Sequence, residues 1–429
     1  MSADTSAAQQ QEFAKATEAV LQDSDIERDR AAVGHVGPNK EQEYFSTATV
    51  ENIRNFAYSY GDDNPLFCDP GYARSTRWGG PIAPAIMQGV LNAPLGGERL
   101  PRELRGGSYR GIHAFVSGGT WDWYAPVRPD DTLYSFSGLE SVEVKTSEFA
   151  GRSVIRVTRD VKMNQRGEVV GVYRTLVINT ERRKAREKGK YAGVETPSWT
   201  DEELAKVDEI YGAEQPRGAE PRWYEDVSVG DTLPAMVKGP LTTTDMIVFH
   251  AGGYGFVPYG LRTGRINYRN RQRIAPFYIK NEYGVPDVAQ RVHWDSAWAQ
   301  AIGTPRAYDY GVLRECWAHH FLTDWAGDDA WVLRQHDEIR KFNYQGDVQY
   351  FGGEVTGKRK EADRCIVDVE FHATNQRDER TLRGEASIAL PSRQDGPVLL
   401  PTPPADLARK AIEMLQVHGE SLRVSHPAG

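Results

Sequence analysis

The sequence predicts an α+β protein made of two copies of one unit, and three observations carry that reading. Val292–Gly311 repeats the frame of Leu66–Ala85: Asp69 matches Asp295, Ala73 matches Ala299, and Ala85 falls where Gly311 stands. In each copy a helical pattern comes first and alternating strand patterns follow. Each copy then closes on the same hairpin signature, Asn164-Gln165-Arg166 and Asn375-Gln376-Arg377, as an internal duplication does. One matched position differs in kind, Phe67 against His293, which points to one working half and one supporting half.

In chain order, residues 1–43 read as a tail with an amphipathic piece at Phe13–Leu21, and the first unit spans 44–180. Thr49 is placed to cap a helix whose apolar residues Val50, Ile53, Phe56 and Ala57 fall near helical period. A short helix at Pro70–Arg77 follows the Asn64-Pro65 break. The run Pro84–Leu95, apolar nearly all round, predicts a buried helix. Past Pro101, aromatic and β-branched alternation predicts strands, with Asp130-Asp131 as turn formers and Trp121 and Trp123 as core residues. Residues 181–221 are the linker, with one short helix at Asp201–Tyr211. The second unit, 222–400, repeats the order: Thr242 pairs with Thr49, Tyr310–Trp325 takes the place of the buried helix, and 401–429 read as a terminal helix and tail.

Composition narrows the function classes. At 429 residues and 39% hydrophobic the chain supports sizeable cores, and a net charge of -8 argues against a nucleic-acid binder. Cys68, Cys316 and Cys365 are far apart and show no metal-ligand spacing, so free thiols in a reducing cytoplasm, and no metal, are expected. No apolar run is long enough to span a membrane, and the N-terminus lacks the pattern of a secretory signal.

The second unit carries an insertion, residues 256–288, in which the local charge reverses. Arg262, Arg265, Arg269, Arg271, Arg273 and Lys280 alternate with Tyr259, Tyr268, Phe277 and Tyr278. Long loops inside compact domains are usually functional or disordered. Arginines among aromatic rings suit phosphates and an adenine, or a substrate carboxylate; a solvated excursion or a dimer contact is the plainer reading.

The stretch GDDNPLFCDPGYARSTRWGGPIAPAIM resembles the signature of the MaoC-like, or (R)-specific enoyl-CoA hydratase, family, approximately Gly-Asp-x-Asn-Pro-x-His-x-Asp, then Ala, then Gly-Pro-x-x-x-His-Gly. Asp62, Asn64, Pro65, Leu66, Asp69, Ala73, Gly80, Pro81 and Ile82 fit it. The resemblance implies a double hot-dog fold, two antiparallel sheets each wrapped around a long central helix, with one half degenerate and space left there for a bulky acyl group. It also implies cofactor-free addition of water across the 2,3 double bond of an acyl-CoA thioester, or its removal. An Asp and a His would hold the water, and a backbone amide at the start of the central helix would receive the thioester oxygen.

Carried over residue by residue, the first copy keeps Asp62 but has Phe67 for the His and Pro84-Ala85 for His-Gly. The second keeps His293 as the acid/base and Gly311 as the oxyanion amide, with Tyr310 before it as a substrate contact. The Asp five residues before His293 is replaced by Val288, and Gly255 stands where Asp62 does. Asp287, one residue out of register, is the expected carboxylate, with Asp309 and the imidazole of His250 as alternatives. Arg262, Arg265, Arg269, Arg271 and Arg273 are the expected substrate-binding cations. A homodimer, or a place beside a partner subunit, is expected for this chain. His319, His320 and His336 read as packing residues. A non-catalytic acyl-CoA-binding subunit and a hot-dog thioesterase are the alternatives.

Overall fold

The computed structural model describes residues 19–107, 109, 112–147, 151–181, 194–254 and 261–425. The amphipathic piece at Phe13–Leu21 lies largely outside them, as do Gly255 and Tyr259.

The first unit starts earlier than the pattern suggests. Helix α1 (Asp23–Ala32) and strand β1 (Val36–Pro38) precede Tyr44 and pack into it. Asp29 of α1, fully buried, accepts from Tyr109 Oη at 2.5 Å and from the Gly107 N–H at 2.8 Å. Too few apolar residues mark α1 for periodicity to find it. Helix α2 (Val50–Ser59) is capped by Thr49 in a reciprocal box with Asn52. Asn64 and Asp69 then cap two short helices, α3 (Pro65–Cys68) and α4 (Pro70–Ser75). Strands β2 (His113–Trp123), β3 (Leu133–Ser147), β4 (Gly151–Asn164) and β5 (Val169–Thr180) complete the unit.

Helix α5 (Asp201–Ala213) lies in the linker, after the charge run at Arg182–Lys190, which falls outside the described residues. The second unit opens with β6 (Thr232–Lys238) and α6 (Thr243–Phe249), capped by Thr242 as α2 is by Thr49. The insertion forms helix α7 (Gly264–Arg273) and a ribbon of β7 (Tyr278–Lys280) with β8 (Pro286–Val288). After α8 (Ser296–Ala301) comes the long helix α9 (Gly311–Ala326), then β9 (Trp331–Ile339), β10 (Gln349–Glu361), β11 (Arg364–Thr374) and β12 (Arg380–Leu390). A final helix, α10 (Ala405–Ser425), returns to the first unit, where Leu407 and Ala411 pack with Leu95, Phe136 and Val161.

All strands but β7 and β8 form one antiparallel sheet in the order β1-β3-β4-β5-β2-β9-β12-β11-β10-β6. Reading outward from the middle, each half repeats the other. The two expected sheets are thus joined edge to edge by the β2–β9 pairing, with Thr120 opposite His336 and Trp121 opposite Gln335. The matching hairpins hold the same contacts. Arg166 and Gln165 reach Asp131, and Arg377 and Gln376 reach Asp347.

Among the described residues only the second half has a long central helix. Pro84–Leu95 is not a buried α-helix but a 3₁₀ turn, Ala85–Val90, after which Leu91 bridges to Phe45. Pro84 and Pro94 bound the run, and a Cβ on Gly89 would sit 3.3 Å from Trp121, so only a short 3₁₀ turn is formed between the prolines, with Gly89 against the sheet. α9 instead fills the shared core. Leu313, Cys316, Trp317, Phe321 and Leu322 join Phe351, Val355, Phe371 and Leu382 from the second sheet. The degenerate half is filled rather than empty: Trp121 and Trp123 stack at 5.5 Å, buried, and the cavity beside Phe67 measures about 40 Å³. No described helix is long and apolar enough to cross a membrane.

Candidate active site

The duplicated frame turns out to be scaffold at most of its positions. Asp69 and Asp295 are both helix caps, accepting from Gly71 N and Trp298 N, while Ala73 and Ala299 are fully buried. What remains for chemistry is the position that differs. His293 ends a 3₁₀ turn, Ala289–His293, that packs against the β7–β8 ribbon. Arg291, 1% exposed, locks this turn: it pairs with Asp295 at 3.0 Å and donates to the carbonyls of Ile279, Asp287 and Val288.

His293 Nδ1 lies 2.8 Å from the carbonyl oxygen of Tyr308. A carbonyl only accepts, so Nδ1 carries the hydrogen and Nε2 keeps a lone pair. Burial pushes the imidazole down to about 4, His250 adding to the effect, so His293 is neutral at physiological pH. Its ring packs on Tyr310 with centroids 3.7 Å apart.

Tyr310 joins three groups. Gln290 Nε2 donates to Tyr310 Oη at 2.9 Å, which leaves the phenol proton for His250 Nε2, also at 2.9 Å. His250 opens a π-turn, His250–Tyr254, at the end of α6; such turns recur at functional sites. A Cβ on Gly252 would meet Ser59 at 2.1 Å, so this turn can abut α2 so closely only with glycine there. That contact brings His250 into the site. Burial holds the Tyr310 phenol well above its ordinary range, so it stays protonated. Gly311 is the first residue of α9, where amides have no intrahelical acceptor and the helix dipole is positive.

The expected carboxylate is not at hand. Asp287 Oδ1 accepts the Val288 N–H at 2.7 Å and Oδ2 lies 3.5 Å from Asn281 Nδ2, so its polar contacts run to β8 and its turn rather than to His293. Asp309 is buried against Arg314 at 3.0 Å and Asn343 at 2.9 Å, and burial pushes it up to about 6. Among the described residues no carboxylate hydrogen-bonds His293. Of the named alternatives only His250 reaches the site. Gln290 and Arg291 were not legible beforehand, since nothing in a lone Gln or Arg marks its direction.

All the expected cations but Arg262 share one helix, and three of them, spaced by four, share its exposed face. Arg265, Arg269 and Arg273 are exposed on α7, Arg271 is half-buried on it, and Arg262 precedes the helix.

The motif of the first half leads elsewhere. Asp62 accepts from Tyr60 Oη and the Asn64 N–H. It lies 3.7 Å from Nε2 of His320, which also meets Asp324 at 3.2 Å and Glu214 at 3.7 Å. Asp62, His320 and Asp324 offer ligand atoms within 4.8 Å of one another. They do not fit a metal: Lys238 Nζ donates to His320 Nδ1 at 2.9 Å, which puts the ring hydrogen on Nε2 and already supplies a cation. Burial pushes Asp324 up to about 7. His319 and His336 hold structural bonds to Gln335 and Thr120.

Residues 32–172 match a family model described as FAS1-like, dehydratase domain region. A curated protein of Streptomyces avermitilis, named UPF0336 protein, is 29% identical over 128 residues, covering 30% of this chain and 81% of its own. Among solved structures, a MaoC-like dehydratase superposes with a TM-score of 0.56 at 18% identity, covering 84% of this chain and 98% of its own. A conserved hypothetical protein of Mycobacterium tuberculosis, described as having a double hotdog fold, covers 86% and 99% at 12% identity, with a TM-score of 0.48.

Proposed function

We propose that this chain, a double hot-dog protein similar in sequence and fold to MaoC-like dehydratases, is a hydro-lyase that adds water to, or removes it from, the 2,3 double bond of an enoyl-CoA thioester. The observation that carries the reading is the His293 tautomer. A half-buried imidazole, neutral and with no partner on Nε2 among the described residues, packs on Tyr310 at the N-terminus of the core helix α9.

In the hydration direction the water oxygen bonds to carbon 3 as Nε2 of His293 takes one of its protons. The Gly311 N–H receives the thioester oxygen, where enolate charge develops. The proton returns from His293 to carbon 2, so the atoms of one water are added and the enzyme is restored. The Tyr310–His250 pair stands in for the absent Asp, holding the water by hydrogen bonds without carrying charge. The exposed arginines of α7 are assigned to the coenzyme's phosphates, which their guanidinium forks suit, and the chain acts in the cytoplasm as a homodimer or beside a partner subunit.

The test is the change in enoyl-thioester absorbance with purified protein and a panel of acyl-CoAs, wild type beside His293→Ala. Turnover abolished by the substitution supports the reading. Binding of acyl-CoA without turnover would favour a supporting subunit, and release of free thiol a thioesterase.

A further inference from the structure

The insertion has two faces of opposite character. Arg265, Ile266, Tyr268, Arg269 and Arg273 of α7 face solvent. Asn267, Asn270 and Arg271, spaced by three and four residues, share the other flank. There Asn270 is 8% exposed and its Nδ2 has no partner; Asn267 Oδ1 and Arg271 Nε are likewise buried and unsatisfied. The chain then turns into β7, where Tyr278, 9% exposed, buries an Oη with no partner.

Native interiors rarely leave a buried polar atom unsatisfied, and each one asks for an explanation. Here four fall in one stretch of chain, Asn267 to Tyr278, and three of the four are donors. A guanidinium, an amide N–H and a phenol O–H all donate, and only Asn267 offers an acceptor. Among the described residues Arg271 has no carboxylate partner. Donors around an unpaired guanidinium select an oxyanion. This flank is also tied to the site. Tyr278 pairs with Val288 across the ribbon, and two residues on lies Gln290, whose Nε2 holds Tyr310 and whose Oε1 is again buried without a partner. Arg291 fastens the carbonyls of Ile279 and Val288 together.

We infer that Arg271, Asn270 and Tyr278 form the recognition site for an anionic oxygen group of the substrate. This rests on the reading of that substrate as an acyl-CoA. The two sources of such a group are the coenzyme's phosphates and a carboxylate on the acyl chain.

Calorimetric binding to the full chain separates them, with acetyl-CoA, succinyl-CoA and acetyl-pantetheine as probes. A phosphate source predicts that Arg271→Gln weakens both CoA thioesters by about tenfold or more and leaves acetyl-pantetheine, which has no phosphate, as in wild type. A carboxylate source predicts that only succinyl-CoA weakens. Tyr278→Phe, which removes one oxygen, should weaken the same compounds by less, a selectivity that a folding defect would not produce. Wild-type affinity for every probe in both variants overturns the proposal. Should wild type itself bind neither CoA thioester, the acyl-CoA reading has failed and this inference falls with it.

Discussion

His293 and Tyr308 are joined by a hydrogen bond of 2.8 Å from an imidazole nitrogen to a backbone carbonyl, and this bond fixes which nitrogen can act as a base. Because the acceptor is main chain, no side-chain substitution elsewhere removes it. His293→Ala should therefore lower kcat at least about a hundredfold through loss of the acid/base, while leaving the thermal midpoint within a few degrees. Near-wild-type turnover in that variant would falsify the assignment.

The acid limb of the pH profile should be displaced. A histidine of ordinary pKa loses its lone pair near 6.5, whereas burial holds His293 at about 4. Its neutral form, the active base, persists down to that pH. We expect kcat/KM to stay level from pH 8 to about 5 and to fall only below that. A limb centred above pH 6 would show that a different group carries the proton.

Tyr310→Phe separates the ring from the hydroxyl. The ring still packs on His293, but the bonds to His250 and Gln290 are lost. If the pair holds the water, kcat should drop by about ten- to a hundredfold with KM little changed. A change confined to KM would make Tyr310 a binding residue only.

The duplicated hairpin gives an internal control on stability. Asp347 is fully buried and receives two bonds from Arg377, which is 27% exposed, whereas Asp131 meets Arg166, which is 54% exposed. Arg377→Ala removes two charged bonds from a buried carboxylate, leaving it Gln376 and, at 3.6 Å, Arg306, and should cost about 2 kcal/mol. Arg166→Ala should cost about 1 kcal/mol or less. Urea midpoints measure both; equal losses would mean that burial does not decide the difference.

Stability should also fall as pH rises through neutrality. Glu315 on α9, 1% exposed, accepts the single O–H of Tyr173, whose Oη lies 3.0 and 2.9 Å from its two oxygens, and burial pushes it up to about 7. A carboxyl whose folded pKa exceeds its unfolded value binds its proton more tightly in the fold, so the stability it contributes is present below about pH 4.5 and lost as pH climbs to about 7. Melting temperature should decline from pH 5 to 8, and Glu315→Gln should flatten that slope. An unchanged slope would assign the effect to another buried acid, Asp324 or Asp337.

The sequence by itself determined the duplication, the α+β class and the position of His293. These are local signals: caps such as Thr49 and Thr242, hairpin residues such as Asn164 and Asn375, and a motif slot whose neighbours are scaffold. Their meaning survives without knowing what they touch. It misjudged Pro84–Leu95, because an apolar run reads alike as a long buried helix and as a short 3₁₀ turn pressed against Trp121. It could not choose the group that joins His293 and Tyr310, since sequence distance favoured Asp287 while the π-turn packed on α2 brought His250 to Tyr310. The tertiary structure alone decided that Asp62 serves a buried ionic cluster across the two halves. That cluster draws Lys238, His320 and Asp324 from a strand and a helix remote in sequence, and only packing fixes which charged groups leave water together.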